Sequence, residues 1–200
     1  MTVQNNKLNK ALKEDFSLKV LAHKGFTLIE LLVVMAILGA LAVVVLLALN
    51  PIQQLARTRD AGRISGVTQL GHALEAFATS NNGVYALQNN TWITQLVTAG
   101  ELASVPAGIT YSIAGIAACT NNIQPAATGF CYLTTGGAGS GTGPILAYAR
   151  LESQAHLSRC ATNFAGTNQA YAFYATSMGR GGIACTTNAQ PTITPGNVLP

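Results

Sequence analysis

The chain is poor in the residues that carry out catalysis. Only 9% of its 200 residues are charged, and 6% are aromatic. Catalysis needs several titratable side chains held close together. After residue 49 the acids and histidines are few and widely spaced: Asp60, His72, Glu75, Glu101, Glu152 and His156. Nothing in this set indicates a Ser-His-Asp arrangement, so we expect a protein that is not an enzyme.

Lysine is absent after Lys24, and this absence bears on phosphate and nucleic-acid binding. The glycine-rich stretch 136–143 lacks the Gly-Lys-Ser/Thr ending of a phosphate-binding loop, so we interpret it as a flexible loop. The net charge is +4, but residues 1–25 hold all five lysines against two acids. Residues 26–200 hold six arginines against five acids. The basic N-terminal segment therefore indicates a topology signal rather than a polybasic arm for anionic lipid or nucleic acid.

Metal-ligand spacing is also lacking. The sequence has no Cys-x-x-Cys pair, and the nearest candidate is His156 with Cys160, four residues apart. Structural zinc sites take four Cys or His ligands, usually in closely spaced pairs. We predict strand character around these two residues, which would prevent them from facing one another. We therefore expect no metal and no cofactor.

One long apolar run extends from residue 26 to residue 49, with Glu30 as its single charge. At ~1.5 Å per residue such a run crosses a ~30 Å hydrocarbon core, so it predicts a transmembrane helix. A secretory signal has a shorter core, followed by small residues at its cleavage site. Here the small residue, Gly25, precedes the core. An acid inside hydrocarbon is costly and normally needs a partner, so Glu30 distinguishes this run from a plain anchor.

The residues Lys-Gly-Phe-Thr-Leu-Ile-Glu at 24–30 resemble the class III signal of type IV pilins and pseudopilins. The resemblance implies that a prepilin peptidase cuts after Gly25 and methylates the new N-terminus, Phe26. It also implies that the apolar helix stays on the mature chain. Glu30 is then the fifth mature residue. Because a buried carboxylate needs a partner, our hypothesis is that Glu30 takes part in filament assembly by pairing with the Phe26 amine of a neighbouring subunit.

Gly39 lies inside the apolar run and Pro51 follows it, and both residues weaken a helix. Many pilins have a glycine and a proline at related positions, so the resemblance implies helix distortion between Gly39 and Pro51 on assembly. From residue 52 to residue 77, apolar residues recur largely at three- and four-residue intervals, which predicts an amphipathic helix. We expect one helix from 26 to 80, ending in Asn and Gly residues that suit a helix cap.

The predicted organisation has four parts. They are a cytoplasmic leader that is removed (1–25), a transmembrane and filament-core helix (26–50), the amphipathic half of the same helix (51–82) and a globular head (83–200). In the head, residues 91–97 predict a short helix that resembles one in the linker of many pseudopilins. Strand character occurs at 109–113, 130–135, 145–151 and 170–176. We predict a pilin-like α+β fold, with a small antiparallel sheet and an irregular tail from Thr186.

All four cysteines lie in the head, which the predicted topology places outside the membrane. An even number of cysteines in an exported domain indicates disulfides, and four cysteines allow three pairings. We favour Cys119–Cys131 and Cys160–Cys185 because each closes a short local loop. The second pairing also matches the C-terminal disulfide that the resemblance implies.

The resemblance implies a structural subunit of a type IV pilus, which serves adhesion, motility or DNA uptake. The implied partners are further copies of the chain, the prepilin peptidase, the cytoplasmic membrane, and a pilus assembly platform with its ATPase. Nucleic acid enters only indirectly, through DNA uptake. The expected location is the cytoplasmic membrane for the single-pass precursor and the cell surface for the filament. The alternatives are a pseudopilin of a type II secretion or competence system, and a membrane-anchored binding protein that never polymerises.

Overall fold

The computed structural model describes residues 25–109, 129–187 and 190–200. Within these ranges the chain forms four helices and five strands. Its contacts divide it into two compact units, Met1–Leu49 and Asn50–Pro200. The predicted leader lies outside the described residues except for Gly25, so its boundary stays a prediction.

Helix α1 (Leu28–Leu49) contains no proline and no charge other than Glu30. Its apolar part, Leu28–Ala48, is 21 residues long. That corresponds to about 31 Å at 1.5 Å per residue, close to the ~30 Å of a hydrocarbon core. Residues 28–48 are exposed along the whole helix, so α1 has the length, composition and exposure of a membrane span. Gly39, a predicted point of distortion, lies inside this uninterrupted helix, and its loosening on assembly stays a prediction.

The prediction of one continuous helix across residues 26–80 is wrong in one respect, because Asn50 separates two helices. Helix α2 (Pro51–Ser80) begins directly after it. Asn50 has φ 40° and ψ 73°, and the right-handed helical conformation is disfavoured at this position because proline follows it. Asparagine tolerates the left-handed region, and its Oδ1 accepts the Gln53 backbone N–H at 3.4 Å.

Five antiparallel strands form one sheet in the order β1-β2-β3-β4-β5. They are β1 (Cys131–Thr134), β2 (Ile145–Leu151), β3 (Gln169–Ala175), β4 (Arg180–Thr186) and β5 (Val198–Leu199). The predicted α+β fold with a small antiparallel sheet is therefore confirmed. The first three strands lie where the sequence predicts them. The strand predicted at 109–113 lies outside the described residues beyond Ile109.

Strands β4 and β5 are absent from the prediction. Strand β4 begins Arg-Gly-Gly, and its glycines have no side chains that would show alternation. The tail predicted to be irregular from Thr186 contains β5, in which Val198 pairs with Ala184 and Leu199 with Ile183. Leu199 is only 4% exposed, so burial in the core holds this end of the chain in place.

Two short helices complete the second unit. Helix α3 (Trp92–Thr98) confirms the helix predicted at 91–97 and packs against α2. Helix α4 (Gln154–Asn163) follows β2 and was not predicted. Helix α4 contacts β3 and β5, so it lies against the sheet.

The buried face of α2 packs against β2, β3 and β4. Its fully buried aliphatic residues recur at the spacing that the amphipathic pattern predicts: Val67, Leu70 and Leu74. Each such side chain contributes about 1.5–3 kcal/mol by leaving water. Glycines let two aromatic rings approach the helix. A Cβ at Gly71 would overlap the ring of Tyr174, and a Cβ at Gly66 would lie 2.6 Å from Cζ of Phe130.

The glycine-rich stretch 136–143 connects β1 to β2, as predicted, but it is not simply a flexible loop. Backbone hydrogen bonds of 2.8–2.9 Å join residues 85–88 to residues 139–141. The buried side chain of Gln88 also accepts the Thr134 backbone N–H at 2.7 Å. The loop therefore fastens the segment between α2 and α3 to the edge of the sheet.

Candidate processing and assembly site

The junction between Gly25 and Phe26 is open to solvent. Residues 25–27 form neither helix nor strand, and Phe26 is 84% exposed. Within the described part of the chain, no atom lies within 4 Å of a Cβ built on Gly25. Exposed irregular segments with small residues are preferred sites of proteolysis. The geometry suits the predicted cleavage between these two residues, which stays a prediction.

Thr27 and Glu30 form a capping box at the start of α1. The Thr27 backbone N–H and hydroxyl donate to Glu30 Oε2 at 2.8 and 2.9 Å. In return, the Glu30 backbone N–H donates to Thr27 Oγ1 at 3.3 Å. This reciprocal pattern satisfies backbone donors that a helix N-terminus leaves without partners. The two residues therefore start the helix at Leu28.

Glu30 has one carboxylate oxygen left for a further partner. Both Thr27 donors bind Oε2, and no hydrogen bond from a described residue reaches Oε1. An ionised carboxylate has about four acceptor sites, and the positive end of the helix dipole favours negative charge here. Because Glu30 is exposed, it can accept an external cation without losing the cap.

The structure confirms the predicted disulfide between Cys160 and Cys185. The sulfur atoms are 2.06 Å apart and the Cα atoms 5.4 Å apart. Both residues are buried, and the bond joins α4 to β4. Cys119 lies outside the described residues, so the Cys119–Cys131 pairing stays a prediction; Cys131 itself is buried at the start of β1.

His156 and Cys160 lie one turn apart on α4, which corrects the strand context predicted for them. The spacing does not make a metal site, because metals bind the free thiolate and Cys160 is bonded to Cys185. Across residues 25–109, 129–187 and 190–200, no three His, Cys, Asp or Glu side chains form a group suited to a metal ion.

A buried charge cluster joins α2 to the turn between β2 and α4. Arg63 donates to Asp60 Oδ1 at 2.8 Å and to Glu152 Oε1 at 2.6 Å. Arg59 Nε reaches the same Glu152 oxygen at 2.8 Å. The side chains of Asp60, Arg63 and Glu152 are at most 3% exposed. Two acids and one arginine are buried together beside the half-exposed Arg59, and their mutual attraction offsets part of the cost of removing each buried charge from water.

The sequence analysis did not identify this cluster. Asp60 and Arg63 are three residues apart on one helix, a spacing that indicates an ion pair. Glu152, however, is 92 residues beyond Asp60, and nothing local connects them. The two acids that the fold brings together are bound by arginine and backbone donors, so their role is structural.

An apolar helix with the length of a membrane span, followed by an α+β unit, fits a membrane-anchored precursor. A family model described as the prokaryotic N-terminal methylation motif matches residues 21–46. This match confirms that the N-terminal segment resembles the class III signal of type IV pilins and pseudopilins, while the roles of Gly25, Phe26 and Glu30 stay predictions. The motif implies processing by a prepilin peptidase. No curated protein and no solved structure matches the chain.

Proposed function

We propose that the chain is a structural subunit of a type IV pilus filament. The observation that carries this proposal is the geometry at Glu30. Its Oε2 is held by Thr27, while Oε1 is open at an exposed helix start. The Gly25–Phe26 junction lies four residues before it, so cleavage there creates an amine next to an apolar helix.

The first step is the release of that amine. Cleavage after Gly25 leaves Phe26 with an α-amino group whose ordinary pKa is ~7.7–8.0. A carboxylate and an ammonium each cost several kcal/mol to bury alone in a low-dielectric medium, and pairing offsets much of that cost. The ammonium of one subunit therefore pairs with Glu30 Oε1 of its neighbour, while Oε2 keeps the Thr27 cap.

The second step is growth of the filament. The amine of one copy meets the carboxylate of the next, so the contact is heterologous and leaves one group free at each end. A heterologous contact that does not close builds a helical fibre. The uncut precursor has no amine at Phe26 and keeps the leader with its five lysines, so it remains in the cytoplasmic membrane as a reserve.

In this function the partners are other copies of the chain, the prepilin peptidase, and the assembly platform with its ATPase. The assembled filament lies at the cell surface and serves adhesion, surface motility or DNA uptake. The head then forms the outer surface of the fibre, and contact with nucleic acid arises only in a DNA-uptake filament.

The test is a Glu30→Ala variant expressed in place of the native chain. We expect cleavage of the leader to continue while fibre yield falls at least tenfold, measured by electron microscopy of sheared surface fractions. Glu101→Ala is the control, because it removes an acid outside the processing signal. Wild-type fibre yield from Glu30→Ala, at equal cellular protein, would overturn the proposed assembly step.

One observation favours a second function, that of a pseudopilin in a type II secretion or competence system. Helix α3 (Trp92–Thr98) follows α2 where many pseudopilins have a small linker helix. A pseudopilin forms short assemblies within the envelope, so sheared surface fractions would lack long fibres even with Glu30 intact. Electron microscopy of the native chain therefore separates these two functions.

A membrane-anchored binding protein that never polymerises is a different class. Such a protein retains its leader, so it has no free amine at Phe26 and does not depend on a pairing with Glu30. Mass spectrometry of the purified native chain separates this class, since it begins at Met1 or another upstream residue. Both filament functions predict a first residue of methylated Phe26.

A further inference from the structure

Basic residues are concentrated at one end of the second unit, which we call the basal end. It consists of the first turns of α2, the last residues of β2, and α4, which the contact between Asp60 and Glu152 brings together. Five of the six arginines in the chain lie on these segments: Arg57, Arg59, Arg63, Arg150 and Arg159. The sixth, Arg180, begins β4 beside Ala175, at the opposite end of the sheet.

The acids of the basal end are already neutralised inside the unit. Asp60 and Glu152 are buried against two of the arginines. By contrast, Arg57 and Arg159 are exposed and form no salt bridge with any residue in the described ranges. The other acids of the unit are distant: Glu101 accepts the Ser80 hydroxyl at 3.0 Å near the far end of α2, and Glu75 lies on the same half of that helix. The basal end therefore has a surplus of accessible positive charge.

The basal end also exposes apolar side chains. Ile52 is 69% exposed and Leu55 is 60% exposed, although the rest of the apolar pattern on α2 is largely covered. A chain spans at most ~3.6 Å per residue, so Ile52, three residues after Leu49, lies within about 11 Å of the end of α1. The headgroup layer of a bilayer is about 5–7 Å thick on each side. The covalent chain alone keeps Ile52 at or near that layer.

We propose that the basal end docks on the surface of the membrane that α1 spans, where anionic phospholipids give it a net negative charge. Ile52 and Leu55 enter the boundary between headgroups and acyl chains, and Arg57 and Arg159 bind lipid phosphates. Guanidinium groups match phosphate with paired hydrogen bonds, and segments that combine apolar and basic residues bind at this boundary. The proposal rests on the membrane anchoring by α1 and does not require that the chain polymerises.

The experiment uses the full chain in lipid nanodiscs made of phosphatidylcholine alone or mixed with phosphatidylglycerol. An uncharged dicarbonyl reagent modifies exposed arginines, and mass spectrometry gives the rate at each position. We expect the rates at Arg57 and Arg159 to fall roughly fivefold or more in the anionic nanodiscs. Each basic residue near an anionic surface strengthens binding to that surface by about this factor. Arg180, in the same chain, serves as the internal control and keeps its rate. At ~1 M salt the Debye length is ~3 Å and the difference disappears.

Paired variants test the apolar contribution. Ile52→Ser with Leu55→Ser is expected to reduce the lipid protection of Arg57 and Arg159. Val84→Ser with Leu87→Ser removes two exposed apolar side chains elsewhere and leaves that protection unchanged.

Three results would overturn the proposal: equal rates in both lipids, an equal fall at Arg180, or protection in detergent that grows with protein concentration. The last result would assign the surface to a second copy of the chain. The nanodisc experiment concerns the unassembled chain. Its result would therefore stay the same if the proposed filament function were wrong.

Discussion

The carboxylate of Asp60 on α2 caps the N-terminus of α4 by accepting the Ser153 backbone N–H at 2.8 Å. It also accepts the Glu152 backbone N–H at 3.0 Å, whereas the Ser153 side chain makes no capping bond. A helix N-terminus leaves backbone donors without partners and favours negative charge. A residue 93 positions earlier in the chain therefore starts this helix, and its own charge is balanced by Arg63.

The first prediction concerns this cap. Asp60→Ala removes the cap and one of the two carboxylates that balance Arg59 and Arg63. We expect a loss of about 3–5 kcal/mol in the free energy of unfolding, as for other broken buried ion pairs. Urea unfolding of the full chain in detergent measures it, with the fluorescence of Trp92, a buried single tryptophan, as the signal.

Two further variants separate charge from hydrogen bonding. Asp60→Asn keeps an acceptor for the α4 backbone but removes the charge, so we expect an intermediate loss. Glu101→Ala, a change outside the cluster, is expected to shift stability by no more than about 0.5 kcal/mol. An Asp60→Ala chain as stable as this control would contradict the structural role given to the cluster.

Local signals account for the parts of the fold that the sequence predicts well. The capping box places Thr27 three residues before Glu30, and a long apolar run follows. The start of the helix and the membrane span can therefore both be recognised from the sequence. Strand β2 shows clear alternation over Ile145–Leu151. The break at Asn50 also had a local signal, because an Asn-Pro pair favours a turn, and the single-helix prediction overlooked it.

Helix α4 shows why other parts could not be predicted. Its capping carboxylate comes from Asp60 rather than from a neighbouring residue, and its sequence, Gln154–Asn163, is polar on average, with Cys160 as the one residue that is fully buried. Strand β5 is two residues long, and burial of Leu199 against the sheet decides its position. Both elements depend on contacts between distant segments, which spacing along the chain does not reveal.

The second prediction compares two glycines on α2. Gly71→Ala places a methyl group on the ring of Tyr174, so we expect a loss of about 1–3 kcal/mol from overpacking. At Gly62, by contrast, no described atom lies within 4 Å of the new Cβ, and alanine is the better helix former. We therefore expect Gly62→Ala to stabilise by roughly 0.5–1 kcal/mol. The same urea titration measures both, and shifts of the same sign would contradict the packing described here.

The third prediction concerns the disulfide between α4 and β4. Cys160→Ser with Cys185→Ser opens a loop with a sequence separation of 25 residues. Chain entropy then lowers the free energy of unfolding by about 3–4 kcal/mol. Because the bond holds α4, we expect hydrogen exchange to rise first in residues 154–163, while the amides of β2 stay protected. Equal loss of protection in α4 and β2 would show that the bond supports the whole unit rather than this helix.

The fourth prediction is a loss of stability at mildly acidic pH, and it arises from His156. Its Nδ1 is buried and has no hydrogen-bond partner among the described residues. Burial lowers the pKa of its imidazole below the ordinary 6.5; Asp60 opposes this shift, while Arg159 and Arg57 add to it. The unfolded chain therefore takes up a proton more readily than the folded chain does. Stability therefore falls as the pH falls. The stabilisation that comes from the neutral imidazole of His156 is complete above about pH 6.5 and declines below it.

Unfolding midpoints measured from neutral to mildly acidic pH test this sign. We expect the wild-type midpoint to decrease as the pH falls below the ordinary histidine pKa, and His156→Gln to flatten that slope. His72→Gln is the matched control, because His72 is exposed on α2 and its replacement should leave the slope unchanged. If the slope persists in His156→Gln, protonation of another group causes it. If it vanishes only in His72→Gln, the burial of His156 does not govern the acid response of this unit.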